Sequence, residues 1–289
     1  MKLIKQSFEI LDQQPGLEGI YKQIELSGRT CYKSEDKITE GSAKEFVDRM
    51  IKSGHGAMLE HGTVYLKVTY KDTDFATLCM FYGRNKYSVL NHSEDNKIYY
   101  ITTNYRVLVE NNHLSDLKYL CEPTEYHEKR ITVKFITDQG ILREFTRHRV
   151  FSFAVESTRY CNYTKDKFSN EVTFIQPNWI SDEDIKNYHM DLDYFTDQDN
   201  NHITAINRFM SALKNAEYFY MELIKLGWKP QQARNVLPLA TKCDMVMTGF
   251  VSDWENFFFL RDAASAHPQA QELAHSLHEI FIQRGYIKD

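Results

Sequence analysis

The chain has 289 residues, with 35 Lys plus Arg against 40 Asp plus Glu, a formal net charge of -5, and 42% hydrophobic and 13% aromatic residues. A chain of this length and apolarity buries about three quarters of the surface its unfolded form exposes, which excludes disorder as the main state. Its acidic surplus argues against a general nucleic-acid binder, so any anion site must be local.

At the amino end, Lys2 and Lys5 are followed by Glu9 and Asp12 before an apolar run of secretory length develops. No leader is readable there, and the cytoplasm is the expected location. Thr63 to Tyr70 alternates, with Val64, Leu66, Val68 and Tyr70 on one side, which predicts a half-buried strand. Residues 71–130 are less regular; Tyr99 to Val109 is strand-like, and the segment reads as an elaboration of one domain spanning 1–289. A second strand is predicted over Ile131 to Thr137 by Ile131, Val133 and Phe135. The longest stretch without Lys, Arg, Asp or Glu is ten residues, 172–181, about half what a membrane-spanning helix needs. Ile203, Ile206, Met210, Leu213, Tyr220, Leu223 and Leu226 keep helical spacing until Gly227, and Pro230 opens a short helix that Pro238 closes. Ser252 and Glu255 form a capping-box pattern ahead of Trp254, Phe257, Phe258 and Leu260. Pro268 opens a last helix carrying Leu273, Leu277, Ile280 and Phe281 before Gly285. Strands and helices mix without regular alternation or a linker, so the predicted class is α+β: one compact domain with a mixed or antiparallel sheet flanked by long helices. Five widely spaced cysteines without a C-x-x-C pair predict free thiols and no thiolate metal site.

Four of the thirteen arginines, Arg143, Arg147, Arg149 and Arg159, fall within residues 143–160, with His148 among them. A solvated basic face is one account of such a run. The other is an anion site: Ile141, Leu142 and Phe145 seat one helix face in the core, and Val150, Phe151, Phe153, Ala154 and Val155 lay an apolar wall beside the guanidinium groups. A phosphate desolvated there would take charge-assisted, bidentate hydrogen bonds of roughly 1.5 to 3 kcal/mol each.

Arg147-His148-Arg149, seven residues and then Ser157, running on to Arg159-Tyr160, resembles the signature of the flavin-dependent thymidylate synthases. Four further segments match in the family's chain order: Gly28–Tyr32, Gly54–His55 with Glu60–His61, Gln232–Leu239, and Asn256–Arg261 with Ala266–His267 close behind. The resemblance covers most of the chain outside 71–130. It implies an α+β fold in a homotetramer whose active sites form between subunits. The implied activity is FAD-dependent reductive methylation of dUMP to dTMP, with methylenetetrahydrofolate as carbon donor and NADPH as reductant; neither nucleic acid, membrane nor metal is implied. By the same resemblance, Glu144, Phe145, Thr146, Arg147, Glu156, Ser157, Thr158, Arg159, Arg234 and Arg261 fall on dUMP-binding positions. Arg261 matches the arginine that promotes ionisation of the uracil at N3. His55, Ala57, Arg147, His148, Arg149, Ser252 and Asn256 fall on FAD-binding positions.

The chain departs from the family at several of these places. The usual glutamate two before the motif serine is Val155, with the acid displaced to Glu156; a threonine is replaced by Ala57, a serine by Cys31, and an arginine by Ser252. These departures keep a rival open, a nucleotide-binding regulatory module without flavin chemistry. Trp254, Phe257, Phe258 and Phe259 at helical spacing predict core rather than a flavin-stacking box. His267, His275 and His278 are expected to be surface or core residues, since their spacing fits no zinc signature, and His61 is expected to be structural.

Overall fold

The computed structural model describes residues 1–95, 97–186, 188 and 204–288. In chain order, β1 (Lys2–Ile4) and β2 (Ser7–Ile10) precede the helices α1 (Gly16–Tyr32), α2 (Ser42–Ser53) and α3 (Gly56–Leu59). There follow β3 (Thr63–Thr69), α4 (Phe75–Leu78), β4 (Val89–His92), β5 (Ile98–Asn104), α5 (Tyr105–Glu110), β6 (Arg130–Asp138), α6 (Gln139–Phe145), β7 (Ser152–Val155) and β8 (Thr173–Ile175). Then come α7 (Asp182–Lys186), α8 (Ala205–Lys225), α9 (Pro230–Ala233), β9 (Lys242–Phe250), α10 (Val251–Arg261) and α11 (Pro268–Gln283).

The class is α+β, as the pattern predicts, but the described strands divide among three sheets rather than one. β2-β6-β9-β7 and β3-β5-β4 are antiparallel, and β1 pairs with β8 in parallel. The division follows from separate apolar faces. Ile131, Val133 and Phe135 of β6 lie opposite Gly249, Met247 and Met245 of β9. Trp254, Phe257, Leu277 and Phe281 from α10 and α11 cover that face, with Ile141 and Phe145 from α6. Each such fully buried large side chain contributes roughly 1.5 to 3 kcal/mol. A second core unites α1 and α2 with Val64, Leu66 and Val68 of β3 and Ile101 of β5, and a third holds α8 against β8. Residues 71–130 are woven into the second core through Leu78, Tyr82, Tyr105 and Leu108. No helix among the described residues is long and apolar enough to cross a membrane.

Several boundaries move for local reasons. The first predicted strand stops at Thr69, and Tyr70 is 51% exposed. Tyr99 to Val109 is not one strand: the Asn104 side chain accepts from Val107 N at 3.2 Å, capping α5. Helix α10 begins ahead of Ser252, because the Asp253 carboxylate accepts from Phe250 N at 3.1 Å while the Ser252 hydroxyl bonds to Glu128. Phe259 is 79% exposed, a correction to its assignment to the core. Gly227 ends the long helix with φ 93°, and Ile203, where its apolar pattern starts, lies outside the described residues.

Two motif glycines are conformational or steric requirements. Gly54 closes α2 with φ 72°, and a Cβ at Gly28 would lie 2.4 Å from Phe46 Cζ of α2. The histidine of the same motif, His61, is fully buried, with Nδ1 2.8 Å from Thr248 Oγ1 of β9. Burial, reinforced by the Arg130 charge, lowers its pKa from 6.5 to about 3. The unfolded chain therefore binds the proton at a pH where the folded one does not, and stability falls as pH drops from about 6.5 towards 3. This group contributes at most about 1.4 kcal/mol per pH unit. Urea melts at pH 7.5 and 5.0 are expected to show a smaller acid-induced loss in His61→Gln than in the wild type; equal losses would refute the assignment.

Candidate functional site

Helix α6 sets the arginine-rich segment. Asp138 ends β6 and caps the helix, its Oδ1 accepting from Ile141 N at 2.8 Å and its Oδ2 from Gln269 Nε2 of α11 at 3.1 Å. Ile141, Leu142 and Phe145 then anchor α6 in the core. The helix stops at Phe145, so Arg147-His148-Arg149 lies in the turns that lead to β7. His148 N donates to Phe145 O at 3.1 Å and Phe151 N to His148 O at 3.2 Å.

Glu144 and His148 meet Arg261 at the end of α10. Arg261 Nη1 donates to Glu144 Oε2 at 2.7 Å, Nη2 to the Glu144 carbonyl at 2.9 Å, and Nε to His148 Nε2 at 3.0 Å. His148 is nearly buried, with its ring 5.1 Å from that of Phe257. Burial and then the Arg261 charge lower its pKa to about 4. The ring is therefore neutral at neutral pH, and with Nε2 accepting, its proton sits on Nδ1. A guanidinium has five N–H donors; three are used here, so Arg261 is fixed in place with two left to offer a ligand.

A second group forms behind the motif serine. Arg234, in the turn after α9, donates to Thr158 Oγ1 at 2.9 Å. Both line a cavity of about 330 Å³ whose wall also includes Arg143 and Gln139 of α6, Asn235 and Thr241. Arg159 is exposed, its guanidinium 5.6 Å from the Tyr160 ring centroid. Among the described residues no hydrogen bond joins this group to Arg261. The link is α6 itself, with Arg143 facing the cavity and the adjacent Glu144 holding Arg261.

The remaining predicted residues are placed unevenly. Ser157 N donates to Cys31 O at 3.0 Å, and next along α1 the Tyr32 hydroxyl lies 3.3 Å from Nδ1 of the exposed His55. The Tyr32 and Tyr160 rings are 5.8 Å apart, so the motif serine, its following tyrosine and His55 share one neighbourhood. Arg147, Arg149 and Asn256 are exposed, and their side chains make no hydrogen bond or ion pair among the described residues. Ala57 is exposed, and Thr146 Oγ1 donates to Leu142 O at 3.0 Å. Phe145 is fully buried in the core, so only its backbone is available to a ligand. The Glu156 carboxylate is buried as well, accepting from Lys242 Nζ at 2.8 Å. Ser252 is engaged by Glu128.

Arg143 and Tyr32 stand in these neighbourhoods without having been assigned from sequence. Arg143 belongs to the arginine run that the sequence offers as an anion site but had no individual role there; Tyr32 had only its place at the end of the Gly28–Tyr32 motif.

The sequence model of the family described as thymidylate synthase complementing protein matches residues 73–284. This span contains the arginine motif, Arg234 and Arg261, and also most of 71–130, which the motif comparison had left outside; it excludes Gly28–Tyr32 and Gly54–His61. The chain is 26% identical over 153 residues to a probable flavin-dependent thymidylate synthase of Paramecium bursaria Chlorella virus 1, covering 53% of this chain and 66% of that protein. It is 27% identical over 154 residues to the flavin-dependent thymidylate synthase of a Synechocystis strain, covering 53% and 66%, and 26% over 163 residues to that of Haloarcula marismortui, covering 55% and 64%. The chain thus spans just under two thirds of the length of these relatives. A solved UMP/dUMP methylase, PolB from Streptomyces cacaoi bound with 5-Br dUMP, is 18% identical with a TM-score of 0.44, covering 98% of this chain and 93% of that one; a likeness of that size carries no argument. Because the family's sequence model runs through most of the chain and across its arginine motif, the chain belongs to the thymidylate synthase complementing protein family.

Proposed function

We propose that the protein is an FAD-dependent thymidylate synthase that converts dUMP to dTMP with methylenetetrahydrofolate and NADPH. The observation that carries this reading is Arg261, immobilised by Glu144 and His148 with two N–H groups unspent. Negative charge that develops on a uracil when N3 ionises is stabilised by a cation already fixed in a site that excludes water. Arg261 does this without moving a proton, and neutral His148 preserves the geometry because protonation would remove its acceptor. Ionising the ring makes C5 nucleophilic.

The exposed donors fit the proposed cofactor. Arg147 and Arg149 are open cations able to hold a pyrophosphate in bidentate fashion, Asn256 offers an uncommitted amide, and His55 keeps Nε2 free while its Nδ1 meets the Tyr32 hydroxyl. When bound, the flavin supplies the hydride and one-carbon chemistry, while the chain orients and polarises. Thr158, Arg234 and Arg159 supply donors for the nucleotide phosphate. Among the described residues no hydrogen bond joins the Arg261 group to the Arg234 group, which favours sites completed between subunits of a homotetramer.

A nucleotide-binding module without flavin is the rival. It draws support from Ser252, which stands where the family has an arginine and whose hydroxyl is committed to Glu128. Purified protein showing a visible flavin spectrum, bound or after loading with FAD, would reject the module; colourless protein that takes up dUMP but not FAD would reject the enzyme.

Arg261→Ala is expected to lower dTMP formation by about 10²- to 10³-fold while FAD stays bound, measured by anaerobic turnover and flavin absorbance. Wild-type turnover would remove Arg261 from the chemistry. Arg234→Ala is expected to weaken dUMP binding about 10- to 100-fold, as for a lost charge-assisted hydrogen bond. Calorimetric titration measures it, and an unchanged dissociation constant would exclude the contact.

A further inference from the structure

The acid before Ser157 stands one residue from its usual family position, and a strand converts that shift into a change of side. On β7, Phe153 and Val155 lean toward the core covered by α10 and α11. Glu156 N donates to Asp244 O at 2.8 Å, continuing the β7–β9 ladder, so Glu156 shares the opposite face with Ser152 and Ala154. There its Oε2 accepts from Lys242 Nζ at 2.8 Å and from Asp244 N at 3.2 Å. Lys242 Nζ also lies 2.5 Å from Asp244 Oδ1, and Lys33 Nζ lies 2.5 Å from Oδ2. Glu35, 3.2 Å from Lys33, and Lys134, 3.7 Å from Asp244, complete a lattice of three lysines and three carboxylates. Glu156 and Asp244 are almost fully buried.

This lattice ties three elements together at the start of the nucleotide turn. Lys242 and Asp244 belong to β9, Glu156 leads directly into Ser157, and Lys33 ends α1 in a left-handed conformation with φ 48°. Two residues before Lys33, the Cys31 carbonyl accepts from Ser157 N. The turn is therefore held through a side chain on its N-terminal side and through its own backbone. Buried ion pairs add little net stability over apolar packing of the same volume, but they are strict about geometry.

We propose that Lys242, Asp244 and Lys33 are positioning residues which, through Glu156, fix the Ser157–Arg159 turn for the nucleotide, and that the Glu156 carboxylate acts on the substrate only in this indirect way. The proposal rests on reading that turn as part of the dUMP site.

The test compares wild type, Lys242→Met and Lys242→Arg by calorimetric dUMP titration and by steady-state dTMP formation. Lys242→Met is expected to raise both the dUMP dissociation constant and KM about tenfold, equal to about 1.4 kcal/mol, with a smaller change in kcat. Lys242→Arg, which keeps the charge, is expected to recover most of that loss. An unchanged dUMP dissociation constant in folded Lys242→Met would overturn the positioning role alone. Failure of the wild type to bind dUMP would overturn the functional reading and the positioning role with it. Should Lys242→Met not fold, the double substitution Lys242→Met with Glu156→Gln removes the Lys242–Glu156 charge pair and carries the same measurement, with the same outcomes for and against.

Discussion

Strand β9 is buried on both faces, and the two-residue period of a strand forces those faces to serve different purposes. Cys243, Met245 and Met247 face the aromatic core under α10 and α11. Asp244 and Thr248 face the other way, where Thr248 meets His61 and Asp244 meets three lysines. The apolar face fixes where α6 and α10 lie, and hence where Glu144, His148 and Arg261 converge. The polar face fixes the end of α1 and the turn after β7. One strand thus registers both proposed halves of the site against each other.

The two faces manage charge differently. Arg261 remains a partly open cation, because Glu144 and His148 occupy three of its donors and leave the rest available. In the lattice on the other face, burial disfavours the charges of Asp244 and Lys33, yet the two lie so close that both stay ionised. Burial works against the Asp244 carboxylate, but Lys242 and Lys33 hold it below its ordinary range; burial likewise works against Lys33, and Asp244 holds it above. The first arrangement leaves donors of a fixed cation unspent, whereas the second consumes its charges to hold backbone.

Features encoded by local periodicity were legible in the sequence. The β3 and β6 strands, the long helix ending at Gly227 and the Pro268 start depend on neighbours a few residues away, and they fall close to where the pattern puts them. What depended on distant partners was not legible. Asn104 turns a strand-like run into a helix by capping Val107, and Glu128 draws away the Ser252 hydroxyl that the capping pattern would have used. Division into three sheets required knowing which apolar faces share a cover. At the site, the arginine-rich run led to His148, and the resemblance to the flavin-dependent thymidylate synthases led to Arg261 and Arg234. Their partners lie 117, 113 and 76 residues away in sequence, and no window of sequence pairs them.

The displaced acid shows how a motif can keep its composition while changing its physics. A glutamate at 155 would share the Phe153 face, beside the core over which α6 and α10 bring Glu144 and Arg261 together. At 156 the same side chain meets Lys242 on the opposite face. The carboxylate is thereby removed from the Arg261 side of the sheet, leaving Glu144 as the acid that holds Arg261, and it is added to the side that anchors Ser157. A one-residue slip that counting along the sequence treats as minor therefore exchanges a potential ligand contact for a structural one, and β9, paired directly with this segment, determines which of the two the carboxylate can make.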